Sequence, residues 1–226
     1  MWGNGTQQVV EAMVESMRHR GPDDRGVYMG SGLAIGMARL SVLDLSTAAH
    51  QPMSNPERTI WIVYNGETYN FQSERRLLED KGYTFTSRSD TEVILRMYEH
   101  YGDDFLNRMR GMFALAIYDR RNGERLLLAR DQLGIKPLLY AMHAGRVVFA
   151  SEVKALLASG LVERQIDPVA VRQLLTFGSV QQPRTILKDV EMLLPAHRLI
   201  LEHGRVRIER YWKLESDRRE GLRESP

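Results

Sequence analysis

Arg39, the run Asn65-Gly66-Glu67 and Asp90 are the residues of this sequence whose types suit a polar small-molecule site. A guanidinium offers a planar, bidentate fork to a carboxylate, and carboxylates such as Glu67 and Asp90 can receive an ammonium group. The Asn65 amide and the Gly66 backbone N–H can together stabilise an oxyanion, and a residue without Cβ lets the backbone come close to a reacting carbonyl. The set therefore holds a cation, anions and hydrogen-bond donors, the equipment a selective zwitterion pocket needs. Each residue also has an ordinary alternative. Arg39 could be a surface cation in an ion pair, Ser89 or Asp90 a helix cap, and Asn65-Gly66 the turn of a hairpin.

Other chemistries find less support. The 226 residues contain no cysteine, which excludes disulfides, thiolate metal sites and cysteine nucleophiles within them. Thr6 and Ser41 could supply a hydroxyl, but Thr6 would have to be exposed by cleavage and Ser41 has no evident base beside it. The histidines beyond His19 lie far apart without metal-ligand spacing. Lys136-Pro137 follows no glycine-rich phosphate loop, and Arg18-His19-Arg20 runs straight into Asp23-Asp24 rather than extending a basic patch. Lys plus Arg total 31 against 29 Asp plus Glu, so a net charge of +2 makes no electrostatic case for nucleic acid.

These residues have to be held by elements that the hydrophobic periodicity foretells. Val10, Met13, Val14 and Met17 recur at helical spacing over 7–19, and Arg20-Gly21-Pro22-Asp23-Asp24 then turns the chain. Leu33, Ile35 and Met37, and likewise Ile60, Ile62 and Tyr64, alternate with other residues and read as half-buried strands leading to Arg39 and to Asn65. Ser89-Asp90-Thr91-Glu92 fits a capping box ahead of a helix carrying Val93, Ile94, Met97, Tyr98 and Tyr101, with Gly102 to end it. Met112–Tyr118 and Glu124–Arg130 flank Asn122-Gly123, a pair favoured in two-residue hairpin turns. Val147–Ala150 is a further strand and Glu152–Ser159 a helix stopped by Gly160. Asp167-Pro168 opens another helix, with Val171, Leu174 and Leu175 expected inward and Gly178 as terminator. His197–Leu201 and Val206–Tyr211 suggest a last hairpin. The order lacks regular βαβ alternation, so the expected class is α+β with mainly antiparallel sheets packed with helices.

At 43% hydrophobic residues the chain can build a proper core, which is expected to finish near Trp212 before a charged linker or tail over 213–226. No apolar run reaches the roughly 18 to 20 residues of a membrane span, and Met1-Trp2-Gly3-Asn4-Gly5-Thr6 has no signal pattern, so a cytoplasmic location is expected.

Five ordered segments now stand together: Arg18–Asp23, Arg39–Asp44, Tyr64–Asn70, Ser89–Glu92 and Asp131–Leu138, joined by Phe149–Leu156. In that order and spacing the chain resembles the class II glutamine amidotransferase (glutaminase) domain of asparagine synthetases from about Val9 to Trp212. The resemblance implies an N-terminal-nucleophile-hydrolase-like, four-layer αββα architecture over 1–212, with an atypical, shortened N-terminus. It implies L-glutamine as ligand, held by Arg39, Leu40, Val42, Glu67 and Asp90, with Asn65 and Gly66 as oxyanion hole. In the family a terminal cysteine, with its own α-amino group as base, releases ammonia for ATP-dependent amide formation on aspartate in a synthetase domain. Here Met1-Trp2-Gly3 stands at that place. The expectations are a chain whose beginning lies upstream, or a catalytically inactive scaffold or interaction domain of an amidotransferase-like synthetase. A missing first strand would leave a sheet edge unpaired. No cofactor is expected in this chain, ATP and Mg belonging to a synthetase domain in cis or trans; homodimers fit the family, nucleic acid and membrane do not.

Overall fold

A computed structural model describes residues 6–40, 44, 46–143 and 145–214. Helix α1 (Gln7–Ser16) begins where the Thr6 hydroxyl accepts from the Val9 N–H, and it buries Val10, Met13 and Val14 at helical spacing. Strands β1 (Asp24–Met29) and β2 (Ala34–Arg39) form an antiparallel hairpin. Two strands follow, β3 (Met53–Ser54) and β4 (Ile60–Thr68), and then α2 (Phe71–Glu79), α3 (Asp90–Tyr101) and the short α4 (Phe105–Arg108). The chain continues through β5 (Gly111–Asp119) and β6 (Arg125–Arg130), then β7 (Leu139–His143) and β8 (Arg146–Ala150). Helices α5 (Val153–Ala158) and α6 (Pro168–Phe177) precede β9 (Val190–Met192) and the last hairpin of β10 (His197–Glu202) and β11 (Arg205–Arg210).

The architecture is α+β in four layers. A six-stranded antiparallel sheet, ordered β11-β10-β6-β5-β4-β3, carries Ile60, Ile62, Phe113, Leu115 and Ile117 on one face, against Val93, Ile94, Met97 and Phe105 of the α3 and α4 helices. The intervening residues Val63, Ala114, Ala116 and Leu128 point the other way, against Leu33, Ile35, Tyr140 and Val147. That second layer consists of the β1-β2 pair and the sheet β8-β7-β9. Its outer side presents Ala34, Ala38, Ala141 and Val148 to α1 and α5. Strict alternation thus gives each sheet two apolar faces, and each fully buried Leu, Ile or Phe contributes about 1.5–3 kcal/mol. Among the described residues no helix is long and apolar enough to cross a membrane.

Several expectations are corrected. The strands through Ile35 and Ile62 are buried on both faces rather than half-buried, because their alternate residues, such as Ala34 and Val63, pack into a second apolar layer. Asn122-Gly123 lies in a five-residue link between paired Asp119 and Arg125, so no two-residue turn forms there. In α6 only Ala170 is buried, while Leu174 and Leu175, expected inward, face outward. Strands β1 and β9 had no signal strong enough to be assigned, being short and joined by residues of mixed type, while β7 follows Lys136-Pro137, read as a loop-to-strand junction. A strand ahead of α1 would fall on residues 1–5, outside the described residues.

Candidate functional site

Three elements deliver the polar residues to one place. β2 ends at Arg39, β4 carries Asn65, Gly66 and Glu67, and α3 starts at Asp90. Between them opens a cleft of ≈ 230 Å³ lined by Arg39, Leu40, Asn65, Gly66, Glu67 and Asp90. Val42, and Ser41 with it, lies outside the described residues. Thr6 caps α1 and does not line this cleft.

Asp90 owes its position to two bonds at the helix start. Ser89 is the cap, its hydroxyl accepting from the Glu92 N–H at 3.3 Å, which frees the Asp90 carboxylate from capping. The Glu92 carboxylate does not complete a capping box with the Ser89 N–H, since it accepts from the Thr86 and Ser87 N–H groups instead. Asp90 Oδ2 accepts from the Thr68 N–H at 3.0 Å and so fastens α3 to the end of β4. Burial lifts the Asp90 carboxyl from 3.8 to about 6 against its hydrogen bonds, and the charge of Glu67 adds to the rise. Tyr64, buried beside it with its hydroxyl 2.8 Å from Thr68 Oγ1, is raised well above the usual phenol range by burial and by the Asp90 charge.

Arg39 is 9% exposed, so it is not a surface cation. Its guanidinium donates to the Asp44 carbonyl, and among the described residues no carboxylate forms a salt bridge with it. The Asp44 side chain is occupied otherwise: its two oxygens accept from the Ser46 and Arg88 N–H groups, each at 2.8 Å. Hydrogen bonds from Ser46, first its side chain, and from Arg88 hold that carboxyl below the usual range.

Asn65-Gly66 is not a turn but the middle of β4, paired with Ala114 and Phe113. Phe113 spends its own N–H and carbonyl on Asp131, on the β6 side. Hence the Gly66 N–H points away from β5, as do the Tyr64 and Thr68 N–H groups two residues either side. Those two are taken by Gln51 Oε1, at 2.7 Å, and by Asp90. Gly66 lies between them at the cleft, and the Asn65 amide nitrogen is 3.4 Å from Ser151 Oγ. A Cβ on Gly66 would stand 2.3 Å from the Met112 carbonyl oxygen, so the glycine is required by β5 as well as by any ligand.

The sequence reading left out Asp44, Gln51, Tyr64, Lys136 and Ser151 as cleft residues, whereas Arg20, read with its neighbours as a turn or pocket wall, does line the cleft. All but Gln51 lie inside segments already singled out for their order. Gln51 had no local signal: it matters because its amide spans from the Tyr64 N–H to Thr91 Oγ1, 3.2 Å away on α3.

The glutamine amidotransferase domain family matches residues 2–212. Asparagine synthetase [glutamine-hydrolyzing] 1 of Bacillus subtilis is 37% identical over 208 residues, covering 92% of this chain and 32% of that protein. Amidase chyE of Penicillium rubens is 36% identical over 214 residues, 93% of this chain and 31% of its own length. The chain thus spans about a third of the length of the curated relatives it matches. Among solved structures, the glutamine phosphoribosylpyrophosphate amidotransferase of B. subtilis superimposes with a TM-score of 0.69 at 20% identity, covering 92% of this chain and 48% of the other. That likeness carries the N-terminal-nucleophile-hydrolase fold, in agreement with the four layers. The chain belongs to the glutamine amidotransferase domain family, in the class II form of the asparagine-synthetase type.

Proposed function

We propose that the cleft binds L-glutamine as the amidotransferase site of an asparagine-synthetase-type protein. The observation that carries this reading is the lining itself, which offers both signs of charge around one small volume: Arg20, Arg39 and Lys136 against Asp44, Glu67 and Asp90. Arg39, spared a carboxylate partner among the described residues, forks the α-carboxylate; Asp90 and Glu67 receive the α-ammonium; Leu40 flanks the aliphatic stem. The Asn65 amide and the outward Gly66 N–H meet the side-chain carbonyl, where a tetrahedral oxyanion would develop. A volume of ≈ 230 Å³ lies below the roughly 300–1,000 Å³ typical of sites for drug-sized ligands, as an amino-acid site should.

The chemistry beyond binding belongs to a longer protein. In one of the relatives' length, ammonia freed from glutamine would pass to a synthetase domain for ATP-dependent amide formation on aspartate. These 226 residues hold no thiol, so for them alone the proposed activity is recognition of glutamine without its hydrolysis. Titration calorimetry on the folded chain tests this. Heat is expected with L-glutamine and a roughly 10- to 100-fold weaker affinity for Arg39→Lys, which keeps charge but loses the fork. No heat at millimolar glutamine refutes the binding reading, and ammonia release by the chain refutes the need for a thiol.

A further inference from the structure

Helix α6 buries only Ala170 and leaves much of its apolar surface exposed. Val171, Leu174 and Leu175 recur at spacings of three and four on one side, with Arg172, Gln173 and Thr176 on the other, and Phe177 ends the helix. Leu175 is 82% and Phe177 66% exposed. Among the described residues the helix packs lengthwise against no other helix or strand. It is held at its ends instead: Asp167 caps the Val169 N–H and pairs with Arg184, and Gln173 Oε1 accepts from the Gln181 N–H at 3.1 Å.

Arg130 connects the segment that follows this helix to the loop at the cleft and to the end of the last strand. Its guanidinium donates to Gln182 Oε1 at 2.8 Å, just past α6, and to the carbonyls of Gly134 at 2.6 Å and of Lys136 and Leu193 at 2.7 Å. Lys136 lines the cleft, while Leu133 and Ile135 on the same loop are 74% and 56% exposed. The Arg130 carbonyl accepts from the hydroxyl of Tyr211, the residue directly after β11, at 2.8 Å. An outward apolar helix, an outward apolar loop at the cleft edge and the end of the last strand are therefore gathered around one arginine.

The dimensions select the occupant. A ten-residue helix is about 15 Å long, and one side of it offers on the order of 200 Å², against about 800 Å² per partner in a standard free-standing complex. A second copy gains little from so small a patch. A tethered domain needs less, because linkage supplies an effective concentration near millimolar. The matched relatives have about two-thirds of their length outside the region shared with this chain.

We infer that the outward side of α6, continued by Leu133 and Ile135, is the surface on which the larger remaining part of a family-length polypeptide docks, an inference that rests on the asparagine-synthetase-type reading above. Docking there sets the partner beside the Lys136 edge of the cleft.

The absence of cysteine makes a clean test, since Leu175→Cys carries the chain's single thiol. Maleimide labelling at position 175, read by peptide mass, is compared between the free chain and the chain joined to the unmatched remainder of the 37% identical relative. Arg207→Cys, on a side chain 60% exposed in β11, serves as reference. The expected result is labelling at least tenfold slower at 175 in the fusion with the reference unchanged, and restoration of fast labelling at 175 in the fusion by an added Phe177→Lys. Equal rates at 175, or equal slowing at both positions, overturn the inference. So does slow labelling in the free chain together with a dimer in ultracentrifugation, which would make a second copy the occupant. Glutamine binding is measured on the free chain, so loss of that reading and loss of the docking surface are separate results.

Discussion

Asp90 is the cleft carboxylate whose ionisation burial opposes. Its carboxyl is lifted from 3.8 to about 6, so the folded state binds its proton more tightly than the unfolded chain does. The stability tied to this group is fully present below about pH 4 and is lost as the pH rises through 6. Asp90→Asn keeps an oxygen for the Thr68 N–H while removing the buried charge. We expect it to raise stability above pH 6 by on the order of 2–3 kcal/mol and to change nothing near pH 3.5, in urea unfolding at both pH values. The same charge is what an ammonium would pair with. Glutamine affinity should therefore fall as the pH drops from 7 to 5, and Asp90→Asn should bind weakly with no such slope in calorimetry; an unchanged affinity at pH 5 removes Asp90 from the ammonium site. Stability and recognition pull in opposite directions at this carboxylate.

Strand β4 shows why local reading of Asn65-Gly66 could go either way. As a dipeptide it favours a turn, but β5 pairs with it along nine residues and overrides that preference. The cost of a side chain at position 66 falls on the sheet: a Cβ would meet the Met112 carbonyl oxygen at 2.3 Å and Phe113 Cα at 2.8 Å, both backbone atoms that cannot rotate away. Gly66→Ala is expected to destabilise by about 2–4 kcal/mol in chemical denaturation, whether or not glutamine is present. A loss below half a kcal/mol would mean that β4 and β5 separate easily. Gln51 matters to the other edge of β4. Gln51→Leu leaves the buried Tyr64 N–H without its 2.7 Å acceptor and should cost about 1–3 kcal/mol, measured in the same way.

Across the molecule, Arg130 joins segments that secondary structure leaves separate. It is 2% exposed and donates to three backbone carbonyls and one side-chain amide, while burial lowers its pKa. Lysine cannot reproduce that planar fan of donors. Arg130→Lys is expected to cost about 3–5 kcal/mol and to speed hydrogen exchange over 133–136 and 178–184 together. Faster exchange in only one of these loops would show that they are not coupled through the arginine.

Side-chain chemistry and hydrophobic period are local properties, and through them Arg39, Asn65, Gly66, Glu67 and Asp90 were legible as a polar set, which the fold gathers at one cleft, and β2, α3 and β4 as their supports. The α6 boundaries were legible too, since Asp167 caps and Gly178 terminates by local backbone geometry. Which way α6 faces was not, because an apolar stripe records that a helix wants a partner without saying whether this chain provides one. For the same reason the double burial of β2 and β4 and the reach of Gln51 from β4 to α3 could not be read ahead. Those depend on layers formed by segments dozens of residues apart, and the burial that raises the Asp90 carboxyl exists only once the layers have closed.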